Sequence, residues 1–347
     1  MTPTPVSRTT TKAATLHDVA REAGVSLATA SRVLNGSTRK VAESYRERVE
    51  TAAATLGYSA NLSAQATARG TSATLALLVA NIADSYFSQI AAGVAHAADD
   101  ENLVVTIGIT ERSPEREAQL VRSLRGQRPR GIVLAASRAH VEQSPALTQA
   151  LASVESSGGR IVTLGAPAEG VDSRTVGIDN RGGTHELGST LAALGYRKAL
   201  ILAATRGLVT SDDRVAGFSD GFTEGGGEAP LVLRGTLSRD AGYDLMTAAL
   251  ERGVSPGTVV FGISDVVAFG AMSAIRDAGR EVGTDIAVAG FGDIDTGRDI
   301  VPSLTTARAP LEEVGRLAVE AVTEDDWTDP GLLPVRVIVR DSTPARD

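Results

Sequence analysis

Two hydrophobic rhythms divide this chain. From residue 16 to 34 apolar residues return at helical spacing on either side of a break, with Leu16, Val19, Ala20 and Ala23 before it and Val25, Ala30, Val33 and Leu34 after. The break is Gly24-Val25-Ser26. Glycine takes the left-handed conformation that ends a helix, and a serine hydroxyl caps the next one. The spacing predicts helices near 16–23, 27–34 and 44–56, the last stopped at Gly57. From Leu75 the rhythm changes. Short, continuous apolar runs alternate with longer amphipathic segments. The runs LALLVA (75–80), LVVTIGI (103–109), GIVLAA (131–136), RIVTL (160–164), ALILAA (199–204), PLVLR (230–234), TVVFG (258–262) and DIAVAGF (285–291) predict strands. Helices are expected near 87–100, 114–126, 144–156, 183–194, 212–224, 239–252 and 265–278.

Strict β/α alternation with continuously apolar strands implies parallel sheets covered on both faces. Eight units could close one barrel or form two doubly wound halves. The stretch 165–182 reads as a crossover followed by a new helix, which favours two halves. In open sheets of this kind a ligand sits beyond the carboxyl ends of the strands, and a cleft between two lobes is a natural small-molecule site. At the other end of the chain, two short helices joined by a Gly-containing turn are the helix-turn-helix plan, whose second helix enters the DNA major groove. An ordinary helical hairpin is the commoner arrangement. Here the second helix turns Thr29, Ser31, Arg32 and Asn35 outward with no acid among them, which suits phosphate rather than a core.

Charge sharpens this division. Residues 1–70 carry nine Lys and Arg against five acids, net +4, while the remaining residues sum to −12. A basic head on an acidic body suits a head seated on phosphates and a body held off them. Cysteine is absent, so disulfides, thiolate nucleophiles and Cys-ligated zinc are excluded. The N-terminus has no apolar signal core and no run reaches the roughly 18 apolar residues of a membrane span. A cytoplasmic protein, nucleoid-associated when bound to an operator and without membrane contact, is expected.

The stretches TLHDVAREAGVSLATASRVLNG, YRERVETAAATLGYSAN, DNRGGTHELGSTLAALGYRK, DRVAGF (213–218), SDVVAFGAM (264–272), VPSLTTARAPLEEVGRLAVEAV (301–322) and VRDST (339–343) occur in the order of one family. The chain resembles the lactose-repressor/galactose-repressor (LacI/GalR) transcription factors over nearly its whole length. The resemblance implies an N-terminal all-α helix-turn-helix domain and an α/β body like a periplasmic binding protein, with two doubly wound parallel-sheet lobes. The expected divisions are a disordered tail at 1–14, the DNA-binding domain at 15–60 and a hinge at 61–72. The first effector-binding lobe would comprise 73–174 and 309–328, the second 175–308 and 329–347. A homodimer or higher oligomer on double-stranded operator DNA, controlled by a small-molecule effector, is implied. A sugar is the leading effector, with a nucleoside or other metabolite as the alternative.

In the second helix Leu27 and Ala28 stand at the positions that select central operator bases in the family. Being apolar, they can meet a thymine methyl but form no bidentate hydrogen bond. Arg32, one turn on, can pair with guanine O6 and N7 or hold a phosphate. Thr15, Ser26, Thr29, Ser31 and Asn35 are placed for phosphates, Leu16 counts with the DNA-contacting set, and Thr15 equally suits an N-cap. Asn61, Ala64 and Thr67 fall in a segment resembling the family's hinge helix. Thr67 stands where a wedge leucine is usual, so the kink it would drive into DNA is in doubt. A flexible linker is the alternative for this segment.

For the effector, the adjacent Tyr86 and Phe87 follow the first strand of the body, where a ring can stack on a sugar face. Arg214 and Asp265 correspond to effector-binding positions, as a fork of donors and an acceptor. A cross-cleft salt bridge or a helix cap is the plainer role for each. Ser137 and Thr210 are weaker candidates. Gly165 replaces a frequent acid, Leu237 a frequent aromatic and Gly292 the first acid of a usual GFDD or GYDD stretch, so the pocket is expected to be more open and less polar. Trp327 is expected to pack a surface loop.

Catalysis is disfavoured. No G-x-G-x-x-G opens the first βα unit, and neither a P-loop nor a nucleophile elbow occurs. His17, His96, His140 and His185 share no metal-ligand spacing, so no metal or cofactor is expected. A solute-binding transport protein would share the body but needs an export signal and no DNA-binding head.

Overall fold

A computed structural model describes residues 14–34, 41–58, 72–135 and 144–346. The chain divides into two compact units, Met1–Ser72 and Ala73–Asp347.

In the first unit, α1 (Leu16–Glu22), α2 (Leu27–Leu34) and α3 (Glu43–Thr55) enclose a small core of Val19, Ala20, Ala23, Ala30, Val49, Ala52 and Ala53. Alanine-rich faces let such short helices approach closely. Gly24 at φ +60° closes α1 as its sequence suggests. The amides of Gly24 and Val25 return to the carbonyls of Arg21 and Ala20 at 3.2 and 3.0 Å, a Schellman turn.

The second unit is built from two six-stranded sheets. In chain order its elements are β1 (Thr74–Val79), α4 (Ser85–Asp100), β2 (Val104–Ile109), α5 (Pro114–Arg125), β3 (Gly131–Leu134), α6 (Pro145–Glu155), β4 (Arg160–Leu164), β5 (Ser173–Ile178), α7 (Asn180–Ala193), β6 (Ala199–Ala204), α8 (Val209–Glu224), β7 (Leu231–Gly235), α9 (Arg239–Glu251), β8 (Val259–Gly262), α10 (Asp265–Asp277), β9 (Ala287–Gly292), α11 (Thr296–Asp299), β10 (Thr305–Arg308), α12 (Leu311–Thr323), β11 (Leu332–Leu333) and β12 (Arg336–Ile338). The sheets run β11-β5-β4-β3-β1-β2 and β12-β10-β9-β8-β6-β7, parallel throughout except for the antiparallel β10–β12 pair. Alternation inside the apolar run of β1 explains the layering. Leu75, Leu77 and Val79 join the cluster that holds α4 and α12, whereas Ala76 and Leu78 join the cluster under α5 and α6.

Four strands escape the hydrophobic pattern. β5 begins with Ser, Arg and Thr and is only partly buried, and β10, β11 and β12 are two to four residues long. The consequence is a shift of boundary. The stretch 165–182 is not wholly a crossover, because β5 lies within it and pairs with β4, so the chain leaves the first lobe after Ile178 rather than after Arg174. Residues 329–347 likewise divide: Leu332 and Leu333 pair with β5 in the first sheet, and Arg336–Ile338 with β10 in the second.

α12 returns to the first lobe and packs on α4 at backbone distance. A Cβ on Gly93 would lie 2.0 Å from the Glu312 carbonyl oxygen, and one on Gly315 would lie 2.3 Å from that of Ile90. The end of α12 is gathered by arginines from β4, β5 and the residue that precedes β3. Arg130 donates to Thr323 O, Arg160 to Val322 O and Arg174 to Ala321 O, at 3.2, 2.9 and 2.8 Å. Trp327 packs the exposed loop after α12 as expected, half-buried with its ring 5.7 Å from the Arg174 guanidinium. No described helix is long and apolar enough to cross a membrane.

Candidate functional site

The head turns one side of α2 to solvent. Ser26 Oγ accepts from the Thr29 amide at 3.1 Å and so starts α2 as an N-cap. Ala30 points into the core, which leaves Leu27, Ala28 and Arg32 exposed together on the other side, flanked by half-buried Thr29 and Ser31. Arg48 of α3 donates to the carbonyls of Ala23 and Gly24, tying the turn to the third helix. Thr15 forms a capping box with Asp18, its hydroxyl accepting from the Asp18 amide at 3.4 Å, so its role as a cap is realised. Leu16 is half-buried against the core. Asn35, Asn61, Ala64 and Thr67 lie outside the described residues, as does Ser137 of the effector set.

Between the lobes of the body, beyond the carboxyl ends of the strands, lies a cavity. Its walls are mainly apolar, from Tyr86, Phe87, Ile90, Leu164, Val176, Ile178, Leu237 and Val314. Polar groups converge from both lobes: Asp84 and Arg112 from the first, Thr210, Arg214 and Ser264 from the second, and Asn180 at the crossing between them. Tyr86, Phe87, Thr210 and Arg214, four of the predicted effector residues, are thus brought together, with Gly165 and Leu237 beside them.

Arg214 is almost completely buried and is held by three groups. Its Nε donates to Asn180 Oδ1 at 2.8 Å, its Nη1 donates to Ile263 O at 3.0 Å, and its guanidinium lies 3.6 Å from the centre of the Phe291 ring. Burial pushes its pKa down, while Tyr86 and Asp265 nearby favour the charge. Guanidinium does not deprotonate in proteins, so the site keeps a buried cation.

Asp265 is placed differently from expectation. It does not line the cavity. Its carboxylate accepts from Thr306 Oγ1 at 2.6 Å and from the Ile294 amide at 2.9 Å. The residue before it, Ser264, does line the cavity, and among the described residues its buried Oγ has no hydrogen-bond partner. An unsatisfied buried hydroxyl costs about 1–3 kcal/mol, which a ligand hydroxyl would recover. Gly292, at φ +135°, lies beside Asp265 and Tyr86, where a Cβ would make ordinary contacts of 3.4 and 3.6 Å.

Burial pushes the Asp265 carboxyl up to about 6, against the hydrogen bonds that favour its charge. A carboxyl raised from its ordinary value stabilises the fold fully only below about pH 4, and that contribution is lost as pH rises through about 6. The body is therefore expected to lose on the order of 3 kcal/mol between pH 4 and 7 through this group. Denaturant unfolding of the wild type and Asp265→Asn across that range checks it. The difference between the two curves should move in favour of the variant as pH rises, and parallel curves would refute the assignment.

Asp84 and Arg112 join the site without a signal in the hydrophobic pattern. Asp84 caps α4 by accepting from the Tyr86 amide at 3.0 Å, and burial pushes its carboxyl up. Arg112 follows β2 in a left-handed conformation, φ +60°, directly after Glu111 at φ +52°. Its guanidinium lies 5.7 Å from the Phe87 ring centre. Two successive non-glycine residues of positive φ store strain of the kind that clusters at binding sites. Position at the carboxyl ends of β1 and β2 is the signal that could have found both.

Comparison with known proteins follows the same division of the chain. A profile of bacterial regulatory proteins of the lacI family matches residues 15–61, and one of periplasmic binding proteins and the sugar-binding domain of the LacI family matches residues 72–330. The HTH-type transcriptional regulator GalR of Escherichia coli (strain K12) is 31% identical over 309 residues, 88% of each chain. The HTH-type transcriptional regulator CelR of Thermobifida fusca is 30% identical over 341 residues, covering 94% of this chain and 98% of that protein. Among solved structures, the lac repressor dimer bound to operator and the anti-inducer ONPF superposes with a TM-score of 0.80 at 28% identity, covering 96% of this chain and 100% of that one. A CelR–cellobiose complex superposes with a TM-score of 0.66 at 29% identity, covering 95% of this chain and 99% of that one.

Proposed function

The chain belongs to the LacI family of bacterial transcriptional regulators, and on that premise we propose that it controls an operator in response to a sugar held between the lobes of its body. The observation that carries the effector reading is the buried polar cluster of Arg214, Asn180 and the unpartnered Ser264 hydroxyl at one end of an apolar cavity. A pyranose has that polarity: hydroxyls at its rim and apolar C–H faces for Tyr86 and the aliphatic walls. Tyr86 and Phe87 stand edge to face, at 78° with centroids 5.4 Å apart. That arrangement offers one stacking face rather than a two-sided slot, which favours a sugar over a planar nucleoside base. CelR, a relative, has been solved with cellobiose.

Two heads of a homodimer would seat α2 in successive major grooves. Leu27 and Ala28 then meet thymine methyl groups, Arg32 reads guanine, and Thr15, Ser26, Thr29, Ser31 and Asn35 hold the phosphates, with Leu16 beside them in the DNA-contacting set. Asn61, Ala64 and Thr67 form the minor-groove contact of the hinge. The effector changes operator affinity through the relative placement of the lobes, by roughly 1–3 kcal/mol.

Selection of duplexes from a random pool by the full-length protein tests this reading. A near-palindromic site should be enriched, and a panel of neutral mono- and disaccharides and nucleosides should shift its affinity about 5–150-fold through one member. Enrichment of no site overturns it. Arg32→Ala is expected to cost about 1–3 kcal/mol on the selected site and to relax preference at one guanine. A uniform loss at every sequence would instead mark Arg32 as a phosphate contact.

A further inference from the structure

The body carries 25 basic and 37 acidic residues, yet between Glu117 and Glu142 it has five arginines and no acid. Three of them, Arg122, Arg125 and Arg128, are exposed in the last turn of α5 and the turn that follows. Among the described residues none of the three has an acidic partner. Complementing the dipole at the end of α5 accounts for Arg122 and Arg125. It does not account for Arg128, which stands at φ +49°, a conformation that glycine or asparagine adopts at lower cost. An arginine kept there against its backbone preference points to a use for its side chain.

The place of this patch matters. The Arg130 amide donates to Thr74 O at 2.8 Å, so the patch borders the first residue of β1, where the chain enters the body from the head. Thirteen residues, 59–71, connect it to the last described residue of the head. The other face of the same sheet end is acidic, with Asp99, Asp100 and Glu101 closing α4 and Glu324, Asp325 and Asp326 following α12.

We infer that Arg122, Arg125 and Arg128 form a second DNA contact, on the body, that grips the backbone of duplex flanking the operator. The inference rests on the operator-binding reading above. It adds sequence-independent affinity and salt dependence without changing which bases are read.

The test uses the full-length protein and a selected site, embedded in a 60-bp duplex or trimmed to the site alone. With the long duplex, changing all three arginines to glutamine should make the plot of log affinity against log salt shallower by about 0.9 for each phosphate no longer neutralised, roughly 2.7 per protomer. With the trimmed duplex, wild type and variant should differ little. Arg128→Gly guards against a folding artefact. It relieves the backbone and should leave the melting temperature equal or higher, while flattening the slope by about 0.9 per protomer, about a 3.5-fold change per protomer between 50 and 200 mM salt. Unchanged slopes on the long duplex, or equal losses on both duplexes, overturn the inference and leave the operator-binding reading standing. Failure of the wild type to bind any duplex overturns both.

Discussion

Replacing Arg214 with methionine is expected to abolish the effector response and to destabilise the body by about 2–5 kcal/mol. Methionine fills much of the volume but carries no donor. It leaves Asn180 Oδ1 and Ile263 O buried without the bonds that Arg214 now supplies at 2.8 and 3.0 Å. Each orphaned acceptor costs about 1–3 kcal/mol, and the cation no longer rests on the Phe291 face. Lysine should not rescue the site, because one compact ammonium cannot reproduce the fork that reaches both acceptors. The head shares none of these residues and should keep its duplex affinity. Denaturant unfolding and titration of the selected duplex with and without effector check the two halves of this expectation. A variant that unfolds like the wild type and still responds to effector would show that Arg214 neither supports the fold nor touches the ligand.

The second large effect is expected from a single methyl group. Gly93→Ala would set a Cβ 2.0 Å from the Glu312 carbonyl oxygen and 2.7 Å from its carbonyl carbon. The obstacle is backbone, the first turn of α12 against the middle of α4, so no side chain can turn aside. The helices must separate, at an expected cost of about 3 kcal/mol or more, the upper end for overpacking. Phe87 and Ile90 lie on α4 and Val314 on α12, and all three line the cavity. Effector affinity should therefore fall together with stability, although no cavity residue has changed. Gly315→Ala meets the Ile90 carbonyl at 2.3 Å and should act alike. Melting temperature and effector binding of the two variants decide the matter. Wild-type values for both would mean that the helices have room to spare.

How much of this is legible in the sequence depends on the range of the interaction responsible. The turn of the head is readable because a left-handed glycine and a capping serine act within four residues. The strands that can be read are those with continuous apolar runs, including the half-exposed edge strands β2 and β7. β5 escapes because it opens on polar residues, and the lobe boundary moves with it. The cavity is half legible. Tyr86, Phe87 and Arg214 stand out, but Asp84 and Arg112 do not, since nothing near them in the chain distinguishes a capping aspartate or a loop arginine from an ordinary surface residue.

Ser264 and Asp265 mark the limit. By itself the sequence determined the alternation of elements, the basic head on an acidic body and the family to which the chain belongs, because periodicity, charge and local motifs are carried by neighbouring residues. Only the tertiary structure decided that Ser264 faces the cavity while Asp265 turns away to Thr306 and Ile294. That choice rests on the rotation of α10 against β9 and β10, and on partners 29 and 41 residues further along the chain. Adjacent residues at a helix start point in different directions, so the packing of the helix sets which of them faces the cavity and which holds the fold.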